Sequence, residues 1–346
     1  NHPHNMWTDA KNEIVYQTQW FDSRMVAIDR ESGEMIKDNF VGQSPAHVMT
    51  SPATGKIYIT NNGEEQITEL DPNTFEITRQ LSTGPLSHPH GHWISSDGKY
   101  VVTPDFMSLS STITNLEDNT AVKAKNSTND STLILAPIAT GMLGNTTDRK
   151  YYTADFLGNT LTVIDPDNAE IVKQIDLLEV GAGLPIQTPV SPDDKWELTA
   201  NLLGPAGASI TIVDTSADEI VATLPCDPGC HGVQWGAKDD PVNGGYYAYV
   251  SSKFSNALIV VDPDPNNDGN GMDATVVGKV ILADRNVDTD DRVIGYDGMG
   301  GQGVLAIPNV YEGWIQKTVD ACESGECGEI SDFINDLEDS QKHPLE

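Results

Sequence analysis

"YYTADFLGNTLTVIDPDNAEIVKQI", residues 151–175, decides the fold of this 346-residue chain. Apolar residues alternate with polar ones in two runs, a tight turn beginning at Asp165 follows the second, and a third alternating run comes after it. That is the pattern of short, half-buried antiparallel strands joined by Asn, Asp and Gly turns. The "LTVID" run recurs as "MVAID" ending at Asp29, "ITELD" at Asp71, "ITIVD" at Asp214 and "LIVVD" at Asp262. The steps are 42, 94, 49 and 48 residues, and 94 is two steps of about 47. The skipped copy is the degenerate "STITNLEDNT" near Asn115.

Each copy has the same grammar. A strand such as "KIYITNN", "KYVVTPD" or "YYAYVSS" precedes the "xVxxID" run, and a strand such as "DEIVATL" follows it. Upstream lies a "P-x-x-x-x-x-S-P/S-D-G" stretch, clearest in "PHGHWISSDG" (89–98) and "PIQTPVSPDD" (185–194). Four strands per unit at this period predict an all-β fold, a radial β-propeller. A β-sandwich would leave the regular period unexplained. Six units are visible and "GQGVLAIPN" (301–309) opens another, so seven blades are expected, the last incomplete within the chain. The domain reading is a propeller over 1–319 and an acidic C-terminal tail over 320–346, either a short helix or disordered.

Composition bounds the function. Asp and Glu number 52 against 20 Lys and Arg, a net charge of −32. Such a field repels nucleic acid and anionic membranes, so neither is expected as a partner. The longest apolar run, around Leu133–Leu143, is broken by Pro137 and Gly141 and is too short for membrane insertion. The acids are spread along the chain, a pattern that suits a halophilic source. Cys226/Cys230 and Cys322/Cys327 read as local disulfides, and Asn126, Asn129 and Asn145 open N-x-S/T sequons. Together they point to an extracytoplasmic glycoprotein: periplasmic, secreted or on the cell surface. No phosphate-binding Gly-rich loop and no "G-x-S-x-G" elbow is present.

The chemistry-bearing residues are histidines. "HPHNMW" (2–7) and "HPHGHW" (88–93) are near-duplicates, and seven of eight histidines fall where an innermost strand begins. On a common "P-x-G" frame His4, His90 and His231 share one position, His47 falls one place later and His92 two. Innermost strands surround the channel, so these imidazoles are expected to converge on a metal. The bland reading is a duplicated motif in a channel mouth that tolerates histidine. Gln187, Met142, Asp105 and Asp155 hold related places in other blades.

The repeat resembles the YVTN class of propeller, over about residues 2–310. "HPHNMWTD" resembles the "HHP" segment that opens the copper propeller of nitrous oxide reductases and thiocyanate dehydrogenases. Asn1 stands where the first histidine of that tandem would be, and His2 matches the second. His47 in "PAHVMTSP" matches the second-blade histidine, while His90 and His231 match by blade alone. The resemblance implies an oxidoreductase that holds two or more copper ions on His2, His4, His47, His90, His92 and His231. It implies a small nitrogen or sulfur substrate, with Asp105 or His88 as proton carrier. "CDPGCHG" does not meet the "C-x-x-x-C-x-x-x-H" signature of the reductases' electron domain, so a separate cupredoxin or cytochrome is the expected electron partner. The alternatives are a non-catalytic surface, adhesion or filament propeller that self-assembles through its incomplete blade, and a copper storage or delivery protein.

Two smaller motifs remain. The cysteine pair before His231 has three intervening residues where c-type haem attachment has two, and a disulfide is the preferred reading. "DPDPNNDGNGMD" (262–273) carries D-x-N-x-D-G from Asp264, an EF-hand-like opening. Its calcium ligands would be Asp264, Asn266, Asp268 and Asp273; the alternative is a polar hairpin.

Overall fold

In the computed structural model, which describes residues 3–126, 134–240, 242–282 and 301–346, the chain is a β-propeller. Six antiparallel sheets carry four strands each in sequence order, and blade four gains a short fifth strand (Lys125–Asn126) that runs parallel to Glu170–Asp176. Blade one is typical: Pro3–Thr8, Ile14–Gln19, Arg24–Asp29 and Met35–Phe40 from the channel outward. The innermost strands of the other blades are Pro45–Thr50, Trp93–Ile94, Pro137–Met142, Pro185–Gln187 and Cys230–Ala237.

The alternation explains the packing. Second strands lie between neighbouring blades and bury both faces: "IYITN", "YVVTPD" and "YYTAD" are buried at every position. Fourth strands lie at the rim and are largely exposed, as "MIKDNF" shows. Burying the middle of each blade on both sides, at about 25 cal/mol per Å² of apolar surface, favours a stack of sheets over isolated hairpins. Among the described residues no seventh sheet is built. That corrects the expectation of seven blades.

The segment expected to open blade seven lies against blades six and one without forming a strand. Ser251 Oγ donates to the Gln302 carbonyl at 3.2 Å, and Asn309 N donates to Asn12 Oδ1 at 2.6 Å. Gly301, Gly303 and Pro308 supply little strand propensity, and residues distant in sequence take the segment's polar groups, so that Asn309 finds side-chain partners instead of a ladder. Beyond it, Tyr311 and Trp314 join Trp7 and Trp93 in an aromatic cluster with ring centroids 5.0–5.9 Å apart. Trp314 Nε1 donates to Thr50 Oγ1 at 2.7 Å.

The C-terminal residues form helices Ile315–Glu323, Ser331–Asp336 and Asp339–Lys342. They are tied to blade six, where Gln341 Nε2 donates to the carbonyls of Lys238 and Gly245 at 3.0 and 2.8 Å. Both disulfides, Cys226–Cys230 and Cys322–Cys327, are formed. Among the described residues no helix is long and apolar enough to cross a membrane.

Candidate metal centre

Each innermost strand begins opposite the end of its blade's second strand. Pro3 pairs with Gln19, Pro45 with Asn61, Pro89 with Asp105, Pro137 with Asp155, Pro185 with Asn201 and Cys230 with Ser252. In five blades the register slips directly after that pair, for example between Pro3 and Met6 and between Pro45 and Val48. A bulge re-aims the side chains that follow it. His4 and His47 both lie inside such a slip, one and two places after the paired proline.

His4, His47 and His90, from three successive blades, each offer a ring nitrogen within 4.8 Å of the other two. The Nε2 atoms of His4 and His90 are 3.1 Å apart, and the ring centroids of the trio lie 5.0–5.7 Å from one another. Backbone bonds between blades hold the rings. Val48 N donates to Asn5 Oδ1 at 3.1 Å, and Thr60 Oγ1 accepts from His47 N and donates to the His90 carbonyl. His90 Nδ1 donates to the Ile138 carbonyl of blade four at 2.9 Å, which leaves its Nε2 as a lone pair. Gly91 fits this crossing closely: a Cβ there would stand 2.9 Å from the Ala139 backbone and 3.1 Å from the His47 ring.

Electrostatics favour uncharged imidazoles. The rings reach the mouth yet are surrounded by protein, and burial holds His47 well below the usual histidine range, assisted by repulsion from His90 and His4. Burial brings His90 down to about 4, against a hydrogen bond to the Ile138 backbone that opposes it. Neutral rings have the lone pairs a metal needs. Among the described residues the group contains no carboxylate or thiolate, so the donor set is nitrogen alone, which suits copper, zinc, iron or nickel.

His92 and His231 lie beside this trio. Burial lowers His92 to about 3, and neither of its ring nitrogens has a hydrogen-bond partner. His231 is lowered to about 4 by burial and by Lys253, and its Nδ1 is buried without a partner. Unpaired buried nitrogens cost free energy unless something binds them. His92 and His47, with Asn5, Trp7, Gln187 and Gln234, line a cavity of about 40 Å³ between the trio and the aromatic cluster. His2 lies outside the described residues.

The remaining expected residues are placed as follows. His88 Nδ1 donates to the Asn62 carbonyl at 2.7 Å. Asp105 is fully buried; its carboxylate accepts from Thr103, Ser110, Thr112 and, at 2.6 Å, Lys123 Nζ. Asp155 repeats that pattern with Thr153, Thr160 and Thr162. Gln187 Oε1 accepts from Val233 N at 2.8 Å, and Met142 is buried. In the acidic hairpin, Asp264 accepts from the backbone N–H groups of Asp268 and Gly269, and Asn266 donates to Asp268. Asp273 closes a 3₁₀ turn, Gly271–Asp273. The structure does not gather these four around a common point as it does the histidines. Of the sequons, Asn145 is exposed, Asn126 ends a short strand and Asn129 lies outside the described residues.

Trp20 escaped the sequence reading. Its ring sits 4.8 Å from His4 and 5.8 Å from His90, in the turn that leaves the second strand of blade one. Only the blade register, which puts that turn beside Pro3, reveals it.

No protein-family model matches the chain, and no curated protein matches its sequence. Solved structures do match its fold. A catalytically inactive virginiamycin B lyase from Staphylococcus aureus, with quinupristin, superposes with a TM-score of 0.64 at 15% identity over 82% of this chain and 85% of that one. Hydrazine synthase of Kuenenia stuttgartiensis gives 0.62 at 15% over 76% and 77%. The dihydro-heme d1 dehydrogenase NirN gives 0.57 at 16% over 81% and 59%. The likeness is one of fold. It is shared by enzymes of different chemistry, so function has to be argued from the site.

Proposed function

We propose that this protein is an exported copper-dependent oxidoreductase acting on a small nitrogen or sulfur compound. The observation that carries the reading is the meeting of His4, His47 and His90 with ring nitrogens within 4.8 Å, with burial holding His47 and His90 uncharged. His92 and His231 extend the donor set, and their unpartnered nitrogens fit a second ion nearby. His2 belongs to the set through the resemblance to copper propellers. Copper is preferred to the other imidazole-binding metals on that resemblance alone. When bound, it would supply one-electron chemistry to a small substrate.

The chain's own part is to preset the ligands. The Ile138 carbonyl fixes the His90 tautomer, Thr60 ties blade two to blade three, and Trp20 packs beside His4 and His90. Fixed rings bind metal without an ordering cost at each encounter. Protons are carried by His88, at the mouth, or by Asp105, whose backbone pairs with Pro89 between His88 and His90. A separate cupredoxin or cytochrome exchanges electrons with the site. That enzymes named for hydrazine synthesis and dihydro-heme d1 oxidation share the fold makes small-molecule redox chemistry a natural use of it. Two disulfides are consistent with export.

The test is elemental analysis of protein purified without added metals, with its copper electron paramagnetic resonance spectrum. Two or more coppers per chain, and turnover of a small nitrogen or sulfur compound with a chemical electron donor or acceptor, support the reading. Copper without turnover makes the protein a store or carrier. No transition metal after copper reconstitution refutes it.

A further inference from the structure

The histidine mouth is framed by a feature the metal site does not need. The turn from second to third strand faces the mouth in every blade, because the second strand ends opposite the start of the innermost one. Two residues past the paired position, five of six blades place a large apolar side chain: Phe21, Met107, Leu157 and Phe254 in the turn, and Leu203 near the end of the longer second strand Trp196–Gly204. Each is 51–73% exposed. Blade two has Gly63 there, followed by Glu64 and Glu65. Single exposed apolar residues are ordinary, but five in register around one opening form a ring. The turns at the far end of the same blades read "DPNT" (71–74), "EDNT" (117–120), "DPDN" (165–168) and "TSAD" (215–218). The propeller therefore has an acidic face and an apolar-rimmed face, and the histidines lie on the second.

We propose that this ring is the docking surface for a basic electron-transfer protein, which seats an apolar patch around its redox group on the ring. The inference rests on the oxidoreductase reading for the partner's class and on charge for its sign. At −32, a second copy of this chain is repelled from every direction. A basic protein is attracted, and the flanking Glu64, Glu65 and Glu179 give its lysines partners beside the ring. Charge brings the partner to any part of the surface, and the apolar ring decides where it stays. A small, largely apolar contact of this kind suits a transient electron-transfer complex.

The test uses mitochondrial cytochrome c, a basic redox protein with an exposed haem edge, as the probe. Its binding to the protein as purified is titrated at low salt, for wild type, for F21S/L157S/F254S and for M35S/I77S, which removes exposed apolar residues at the blade rims. Circular dichroism confirms that each variant is folded. The expected result is a tenfold or greater rise in Kd for the ring variant, no change for the rim variant, and weakening of wild-type binding at high salt. Equal binding by all three, or no binding by wild type, overturns the proposal. Copper content and reduction by ascorbate are read in parallel. A copper-free protein whose ring still governs cytochrome binding refutes the oxidoreductase reading and keeps the surface, whereas a copper-loaded protein whose ring is irrelevant does the reverse.

Discussion

The Nε2 atoms of His4 and His90, 86 residues apart in sequence, stand 3.1 Å from each other across the boundary of blades that are not sequence neighbours. Because His90 Nδ1 donates to the Ile138 carbonyl, the proton between the two Nε2 atoms belongs to His4. In metal-free protein, ¹⁵N NMR should therefore show His90 as the Nδ1–H tautomer and His4 as the Nε2–H tautomer. A metal that takes both Nε2 atoms must move the His4 proton to Nδ1. Finding His90 protonated at Nε2 in the metal-free form would contradict this arrangement.

Replacing His47 or His90 by Ala should abolish tightly bound metal while leaving the propeller folded. Neither ring makes a hydrophobic core contact that the blades depend on, and both lie at the start of a strand rather than within a ladder. Metal content by elemental analysis, with far-ultraviolet circular dichroism as the folding control, decides it. A full metal complement in both variants would sink the shared site.

Gly91→Ala tests the positioning of His47. The added methyl meets the Ala139 backbone at 2.9 Å, so the two backbones must move apart, and it meets the His47 ring at 3.1 Å, which must give by a few tenths of an ångström. Displacing a ligand through its support typically costs about 10–100-fold in metal affinity. A competition titration with a chelator should show a loss of that order, with the thermal midpoint changed far less than by a core truncation. Unaltered affinity would mean that the site tolerates a mobile His47.

Asp105→Asn separates a structural role from proton transfer. The buried carboxylate takes Lys123 Nζ at 2.6 Å and three hydroxyls, so neutralising it leaves a lysine without its counter-ion. Lys123 is 38% exposed, which limits the loss to about 1–3 kcal/mol. Denaturant titration measures that loss. If Asp105 also carries protons, the pH dependence of turnover changes; a stability loss with an unchanged profile assigns proton transfer to His88.

Glu197 should make the protein less stable as pH rises. Burial pushes its carboxyl up to about 8, and one of its oxygens, Oε2, has no partner. The group is protonated in the folded state. Its contribution is full below an unfolded value near 4.5 and is lost as pH climbs through about 8. Between pH 5 and 8 the unfolding free energy should fall by on the order of 3 kcal/mol from this group, and Glu197→Gln should remove that slope. A slope unchanged in the variant would mean another group sets it.

The fold was legible because it is local and repeated. Strand alternation and the turn after each "xVxxID" run need only neighbouring residues, and the 47-residue period implies radial closure. The histidines of the trio were legible too, since the "P-x-G" frame places His4 and His90 alike. The seventh blade was misjudged because "GQGVLAIPN" looks like the start of a repeat. Whether it pairs depends on partners distant in sequence, and Asn12, Thr8 and Ser251 claim it instead.

By itself, then, the sequence determined a propeller of four-stranded blades with imidazoles at its mouth, two local disulfides and an acidic surface. Only the tertiary structure decided that His47 joins His4 and His90 despite a different frame position, because three blades have to meet before their rings do. It alone set the His90 tautomer, through a carbonyl 48 residues away, and brought Trp20 beside His4 and His90. It also gathered five scattered apolar residues, at or beside the turns, into one ring. Such relations depend on how blades meet one another, and backbone bonds between residues far apart in the chain are invisible to any pattern confined to one repeat.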